Sequence, residues 1–321
     1  MGEEEPSWGY KMSSYQNYHK TILESCVQNI EGDVDFSLSF QRNVKTELKT
    51  TEINSNSRKG AVIIPGLTVP RESYYTLITA LPGFNILLYD QRGQGDSKGD
   101  MSAQDCIDDV NAIGNWFRER HNLDFLVGIA HSFGGMSLLN ASLADGHPYD
   151  MMIALATPID LKKASGKIPN SYTNLSIYLY NISRAAKSKA LRDNIVRYHR
   201  SFSYPEFKRN PGIVALNLHG PNNFNQTREQ SGDISDILEN VSAPTILIYS
   251  SSDKRLKING KYNPEYIRLQ KDAIKMGHEF ILIKGLSHRF NSGKEERFIL
   301  SYNNQELLSC IQNKISEYIK G

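Results

Sequence analysis

Phe125-Leu-Val-Gly-Ile-Ala-His131-Ser132-Phe133-Gly134-Gly135 is the stretch that decides the fold. A run of apolar, strand-forming residues ends at Ala130. A serine follows, with glycine two places after it, and Gly135-Met-Ser-Leu-Leu-Asn-Ala-Ser-Leu143 then reads as a helix. Strand, serine and helix in this order make a nucleophile elbow, a turn so sharp that the residues two before and two after the serine must both be small. The usual pattern is Gly-x-Ser-x-Gly; here it is Ala130-His131-Ser132-Phe133-Gly134, with alanine in the first glycine's place. A serine flanked by small residues also suits a plain helix N-cap, so Ser132 needs partners elsewhere to be more than that.

The chain supplies candidates in a particular order. Thr245-Ile-Leu-Ile-Tyr-Ser-Ser-Ser-Asp253 is a buried-strand pattern closed by an aspartate, and Glu279-Phe-Ile-Leu-Ile-Lys-Gly-Leu-Ser-His288 is another, closed by a histidine. Serine is a poor nucleophile near neutrality and needs an imidazole to take its proton. The imidazole in turn needs a carboxylate to fix its tautomer and stabilise the imidazolium. Strand ends along one edge of a parallel sheet can bring such groups to one point from distant parts of a chain. Asp160, just past Met151-Met-Ile-Ala-Leu-Ala156, is the alternative acid. His131 adjoins the serine but points away from it at a sharp turn, and His278 precedes its strand and so belongs to the opposite sheet edge.

With Ser132, Asp253 and His288 in this order, the chain resembles the α/β-hydrolase superfamily, particularly its serine esterases of the monoacylglycerol-lipase type. Two further segments carry the resemblance. Ala61-Val-Ile-Ile-Pro65-Gly66-Leu67 looks like the strand and turn that bear the family's oxyanion loop, with Pro65 where histidine is more common. Asn85-Ile-Leu-Leu-Tyr-Asp90-Gln-Arg92-Gly93-Gln-Gly95-Asp-Ser97 matches the family's Asp-x-Arg-Gly-x-Gly-x-Ser loop. The resemblance spans residues 33 to 320 around a less typical middle. It implies a catalytic triad of Ser132, Asp253 and His288, with the backbone N–H groups of Leu67 and Phe133 as oxyanion donors. The implied reaction is hydrolysis of a carboxylic ester through an acyl-enzyme, with a small acyl compound as substrate. A thioesterase or acyltransferase would use the same triad, and a non-catalytic ligand-binding α/β-hydrolase is the rival of another class.

Composition sets bounds on these readings. The chain has 321 residues, 39% hydrophobic, with a mean hydropathy of −0.46. That suits a globular protein, and no apolar run approaches the roughly 18–20 residues a membrane span needs. The acidic start Met1-Gly-Glu-Glu-Glu-Pro6 has no apolar stretch of the secretory type. Cys26, Cys106 and Cys310 are widely spaced, as incidental thiols of a reducing compartment are. A cytoplasmic protein is therefore expected. No cluster has metal-ligand spacing, the chemistry calls for no cofactor, and Gly93-Gln-Gly95 lacks the phosphate-loop form. No nucleic-acid-binding motif is present.

Apolar and polar residues alternate in Asp35–Phe40 and Val44–Thr50, as in half-exposed antiparallel edge strands. Strands near 61–65, 85–90 and 124–130 are apolar throughout, as buried parallel strands are. Between the last two, Ser102 opens an amphipathic helix with Cys106, Val110, Ile113 and Phe117 on its apolar face. Asn263-Pro264 starts another helix, and a C-terminal helix carries Leu307, Leu308, Ile311, Ile315 and Ile319 on one side. Strands alternating with helices predict an α/β fold, a doubly wound, mostly parallel sheet. Asp90, Arg92 and Asp96 are read as braces of the loops behind the site.

The expected organisation is an N-terminal helical extension over 1–32, a hydrolase core over 33–158 and 241–321, and a helical cap over 159–240. A crossover this long exceeds a plain connection. Lys162–Asn210 holds eleven Lys or Arg against Asp193 and Glu206, a formal +9 where the whole chain carries +2, so the remainder stands at −7. Five tyrosines (172, 178, 180, 198 and 204) are interleaved with these charges. Such a segment suits a cationic lid that meets an anionic substrate or a membrane surface. It equally suits solvated helices whose charges only keep a lid in solution.

Overall fold

The protein is described by a computed structural model over residues 31–39, 45–66, 69, 71–92, 97, 103–159, 233–253, 256–258, 261–288, 290 and 304–321. Most of the N-terminal extension and of the 159–240 cap, together with Leu67, Asp96 and Asp160, lies outside the described residues.

The elements in chain order are strands β1 (Glu31–Ser39), β2 (Lys45–Ile53) and β3 (Lys59–Ile64), a 3-10 segment (Arg71–Ala80), and β4 (Asn85–Tyr89). Helix α1 (Ala103–Arg120), β5 (Phe125–His131), α2 (Phe133–Ala141), β6 (Met151–Leu155), α3 (Ile234–Leu238) and β7 (Thr245–Ser250) follow. A short hairpin of β8 (Lys257–Ile258) and β9 (Lys261–Tyr262) leads to α4 (Pro264–Lys275), β10 (Glu279–Ile283) and α5 (Gln305–Lys320). The main sheet has eight strands in the order β1-β2-β4-β3-β5-β6-β7-β10. β1 pairs antiparallel with β2 and β2 with β4; every other pairing in that sheet is parallel. This is the doubly wound, mostly parallel α/β sheet that the alternating pattern predicts.

Strand alternation sorts side chains onto two cores. Ile63, Ile86, Leu88, Val127, Ile129 and Ile153 face the layer made by the 3-10 segment and α5. Val62, Ile64, Leu87, Leu126, Met152 and Leu247 face α1, α2, α3 and α4. Each fully buried aliphatic side chain contributes roughly 1.5–3 kcal/mol relative to exposure, so a two-faced sheet of this width holds the fold largely by burial. In α1, Cys106, Val110, Ile113 and Phe117 are all buried, the face expected from their spacing. Asn263 caps α4 by accepting from the Glu265 N–H at 3.1 Å, with Pro264 in the first turn.

Two expectations differ in detail, and β2 runs on beyond the stretch whose alternation is expected. In β2 the alternation holds from Glu47 to Thr50, but Thr51, Glu52 and Ile53 are all buried. There the strand runs inside the sheet beside β4, and Tyr75 and His121 close over it. Ile319 is 43% exposed, because α5 has run past the edge of the core by its last turn. β10 reads as a buried strand but is the last strand of the described sheet, and among its residues Ile283 alone is fully buried.

Candidate active site

Ser132 sits at the junction of β5 and α2 with φ 52° and ψ −120°, a conformation sparsely populated by residues other than glycine. Its backbone N–H is held by the Leu155 carbonyl at 2.8 Å, and its side chain makes no capping hydrogen bond to the helix. The plain N-cap reading of Ser132 therefore fails. The turn needs a glycine at 134, where a Cβ would lie 2.4 Å from the Pro65 carbonyl oxygen and 2.7 Å from that of Ile64. On the other side of the serine, Ala130 is accommodated in the core at 1% exposure, so the extra methyl of this departure fits.

Asp253 and His288 come from loops beyond β7 and β10, at the same edge of the sheet as the turn after β5. His288 Nδ1 lies 2.6 Å from Asp253 Oδ2, and His288 Nε2 lies 3.2 Å from Ser132 Oγ. A carboxylate can only accept, so Nδ1 carries the proton, which leaves the Nε2 lone pair facing the serine hydroxyl. Asp253 is 2% exposed, against 17% for the His288 side chain. The carboxylate is thus shielded from water, while the imidazole keeps a partly exposed edge. The three side chains singled out from sequence meet in one hydrogen-bonded line.

Phe133 is the first residue of α2, so its N–H has no partner within the helix and points to the same end as the serine. The Gly66 N–H is already engaged, donating to the Tyr74 hydroxyl at 2.7 Å. The amide of the next residue, Leu67, lies outside the described residues. So does the alternative acid Asp160.

Behind this line the loops are tied by buried ion pairs. Arg71 Nη1 meets Asp90 Oδ2 at 2.5 Å, and the Arg71 backbone N–H donates to Asp90 Oδ1 at 2.8 Å. Arg92 grips Asp109 through two bonds of 2.7 and 2.6 Å. Burial pushes the Asp109 carboxyl up from its ordinary value despite the pull of Arg92. Ser97 donates to the Asp90 carbonyl at 2.6 Å and accepts the Lys49 N–H at 2.9 Å, joining this loop to β2. Asp90 and Arg92 therefore brace the loops, as their place in the motif suggests. Tyr249, whose phenol burial pushes far up, remains a neutral donor to the Thr157 carbonyl at 2.9 Å.

His278 is remote, bonded through Nε2 to the Leu238 carbonyl at 3.0 Å. His131 is close to the triad but part of none of its bonds: its Nδ1 lies 3.0 Å from the Tyr74 hydroxyl and its Nε2 3.2 Å from the His288 carbonyl oxygen. Its place beside the serine implies a side chain that points away to pack or to line the pocket, and Tyr74 gives no sign in the sequence, since a tyrosine in a loop-like stretch carries no spacing signal. Among the described residues no group of three or more His, Cys, Asp or Glu could hold a metal ion. No described helix is long and apolar enough to cross a membrane.

Sheet order, elbow and strand-end loops are those of the α/β-hydrolase fold. The profile of the family described as "Serine aminopeptidase, S33" matches residues 56–293, and the chain belongs to that family. Among solved structures it is similar to an esterase of Pyrococcus furiosus (16% identity, TM-score 0.55, covering 90% of this chain and 91% of that one). It is also similar to a carboxylesterase of the thaumarchaeon Nitrososphaera gargenis (16%, TM-score 0.58, 89% and 99%). A bacterial membrane phospholipase A is a third (13%, TM-score 0.57, 95% and 92%). At these identities the likeness is one of fold. No curated protein matches the chain in sequence.

Proposed function

We propose that the protein is a serine hydrolase that cleaves a carboxylic ester through an acyl-enzyme. The observation that carries this reading is the line from Asp253 through His288 to Ser132, ending on a serine held in a strained turn. Ser132 Oγ attacks the ester carbonyl carbon while His288 Nε2 takes its proton. Asp253 holds the imidazole in the required tautomer and stabilises the imidazolium. The negative charge that develops on the carbonyl oxygen is met by the Phe133 N–H and, following the family pattern, by that of Leu67. The protonated imidazole then passes its proton to the leaving alcohol as the C–O bond breaks, leaving the acyl group on Ser132. Water, deprotonated by His288 in turn, releases the acid and restores the serine.

The similar folds named as an esterase, a carboxylesterase and a phospholipase A all favour an ester over a peptide. The charge of the segment from Lys162 to Asn210 supports a second element of the proposal, an acyl substrate that is itself anionic or that is presented at an anionic surface. Acyl-thioesters and acyl transfer use the same triad, and a panel of substrates separates them. The experiment is labelling with a fluorophosphonate probe, followed by turnover of activated esters and thioesters. Labelling that depends on Ser132, with ester turnover, is the expected result. A wild-type protein that neither labels nor turns over any activated ester rules the reading out in favour of a non-catalytic ligand-binding protein.

A further inference from the structure

His131 has no task in the mechanism above, yet it is 2% exposed and its ring centroid lies 4.9 Å from that of His288. Burying an imidazole is costly unless its nitrogens are bonded. Here the partners fix the direction of every proton. The His288 main-chain carbonyl can only accept, so His131 Nε2 carries the hydrogen across the 3.2 Å contact. In the neutral ring Nδ1 is then an acceptor, and Tyr74 Oη donates to it at 3.0 Å. Tyr74 Oη in turn accepts the Gly66 N–H at 2.7 Å. One directed chain runs from the Gly66 amide through Tyr74 and His131 to the peptide of the base.

Gly66 has to be glycine for this chain to exist. A Cβ there would stand 2.7 Å from His131 Nδ1 and 3.2 Å from Ser132 Cβ. The turn before residue 67 thus lies directly against His131. At the other end, the base follows the last strand of the described sheet. The segment after β10 is tied on its near side, where Ser250 Oγ donates to the Leu286 carbonyl and the Gly285 N–H donates to Ser251 Oγ at 3.0 Å. The bond from His131 holds the same segment at His288 itself.

We propose that Tyr74 and His131 are positioning residues that set the base against the oxyanion turn, an inference that rests on the serine-hydrolase reading. They touch no reacting atom. They fix where the His288 backbone stands, so that the imidazole reaches Ser132 and Asp253 together. Misplacing a reacting group by about 1 Å costs about 10² in rate, which sets the upper end of the effect.

The test compares His131→Leu, His131→Gln and Tyr74→Phe in the full chain, each checked by thermal unfolding. Leucine fills the space without the hydrogen bonds; the glutamine amide can donate to one partner and accept from the other. His131→Leu is expected to lower kcat about 10- to 100-fold with KM changed by less than about threefold. His131→Gln should recover to within about threefold of wild type. Tyr74→Phe should cost about tenfold, and the double variant Tyr74→Phe/His131→Leu no more than His131→Leu alone, because both substitutions cut one chain. A second readout needs no activity: ring-nitrogen NMR should find His131 protonated at Nε2 in the wild type and, because the His288 carbonyl remains, also in Tyr74→Phe, where the Nδ1 resonance should move as its hydrogen-bond donor is lost. Wild-type kcat in His131→Leu, a glutamine variant no better than the leucine one, or a wild-type His131 protonated at Nδ1 would each overturn the proposal. Absence of fluorophosphonate labelling in the wild type would instead remove the hydrolase reading, and the tautomer measurement would still decide whether the chain of bonds exists.

Discussion

β5 and β10 each deliver one end of the same hydrogen-bonded line, and they do it differently. β5 is central, paired to β3 on one side and β6 on the other, and is fully buried from Leu126 to His131. Ser132 is therefore placed by backbone alone: a strained φ, a bond to the Leu155 carbonyl, and a turn packed against the Ile64 and Pro65 carbonyls. β10 pairs with β7, stands last in the described sheet and is half exposed. Its cargo, His288, is placed by side-chain tethers from Ser250, Ser251, Asp253 and His131. A nucleophile has to be held in one unfavourable conformation, which only a rigid centre can impose. On the proposed mechanism the base has to receive and return a proton, which an anchored loop can do from the last strand of the described sheet.

The largest expected effect strikes the shared point of the two ends. Ser132→Ala should lower kcat by about 10⁴–10⁶ and abolish fluorophosphonate labelling, while circular dichroism and thermal unfolding stay close to wild type. The variant does not relieve the strained conformation, since alanine tolerates φ > 0 no better than serine does. Residual turnover within tenfold of wild type would mean that another residue is the nucleophile.

Next comes the acid. Asp253→Asn should cost about 10⁴ in kcat, because an amide at that position selects the wrong imidazole tautomer. Asp160→Asn should leave kcat within about threefold. Steady-state kinetics on the pair checks both statements, and the reverse ranking would move the acid to the loop after β6.

The comparison itself is tested by a pair of milder changes. Gly134→Ala forces a methyl into contact with two carbonyl oxygens and should lower stability by about 1–3 kcal/mol, with activity falling as the turn shifts. Ser250→Ala removes the hydroxyl that bonds the Leu286 carbonyl, a change of about 1 kcal/mol. At the base end the loss of kcat should exceed what stability alone suggests, about three- to tenfold with little change in Tm. If Gly134→Ala leaves Tm unchanged, or Ser250→Ala leaves kcat unchanged, the division into a packed end and a tethered end does not hold.

What could be read in the sequence follows the same division. Periodicity exposes whatever is repeated along an element: the buried strands, the Cys106–Phe117 face of α1, the Asn263 cap of α4. Short-range pattern exposes the elbow, because its small residues are demanded by contacts only two positions away. Ser132, Asp253 and His288 were legible because each closes an apolar run, and the sheet brings such ends together. Tyr74 was not, because its role arises from a contact with His131 across 57 positions and from nothing in its neighbours. The exposure of β10 was hidden for a related reason: Phe280-Ile-Leu-Ile283 is apolar enough for a central strand, and strand order at the sheet edge is a property of the whole topology. Asp90 and Arg92 were legible as braces through the motif they belong to, though their partners Arg71 and Asp109 were not.

The smallest expected effect concerns the positive charge between Lys162 and Asn210. If this segment draws in an anionic acyl substrate, kcat/KM for that substrate falls steeply with salt, since exposed charges are screened beyond about 8 Å at physiological ionic strength. Replacing Lys187, Lys189 and Arg192 together by glutamine should reproduce that loss at low salt, by about three- to tenfold, and flatten the salt dependence. A small neutral ester serves as the control. It reports on the line from Asp253 to Ser132, which is built entirely from core loops, and should respond to neither the salt nor the substitutions. Parallel changes for the anionic and neutral esters would show that the charges act through stability and not through recruitment. No change for either would show that they serve solvation alone, and the rate would then be set entirely by the two strand ends that meet at Ser132.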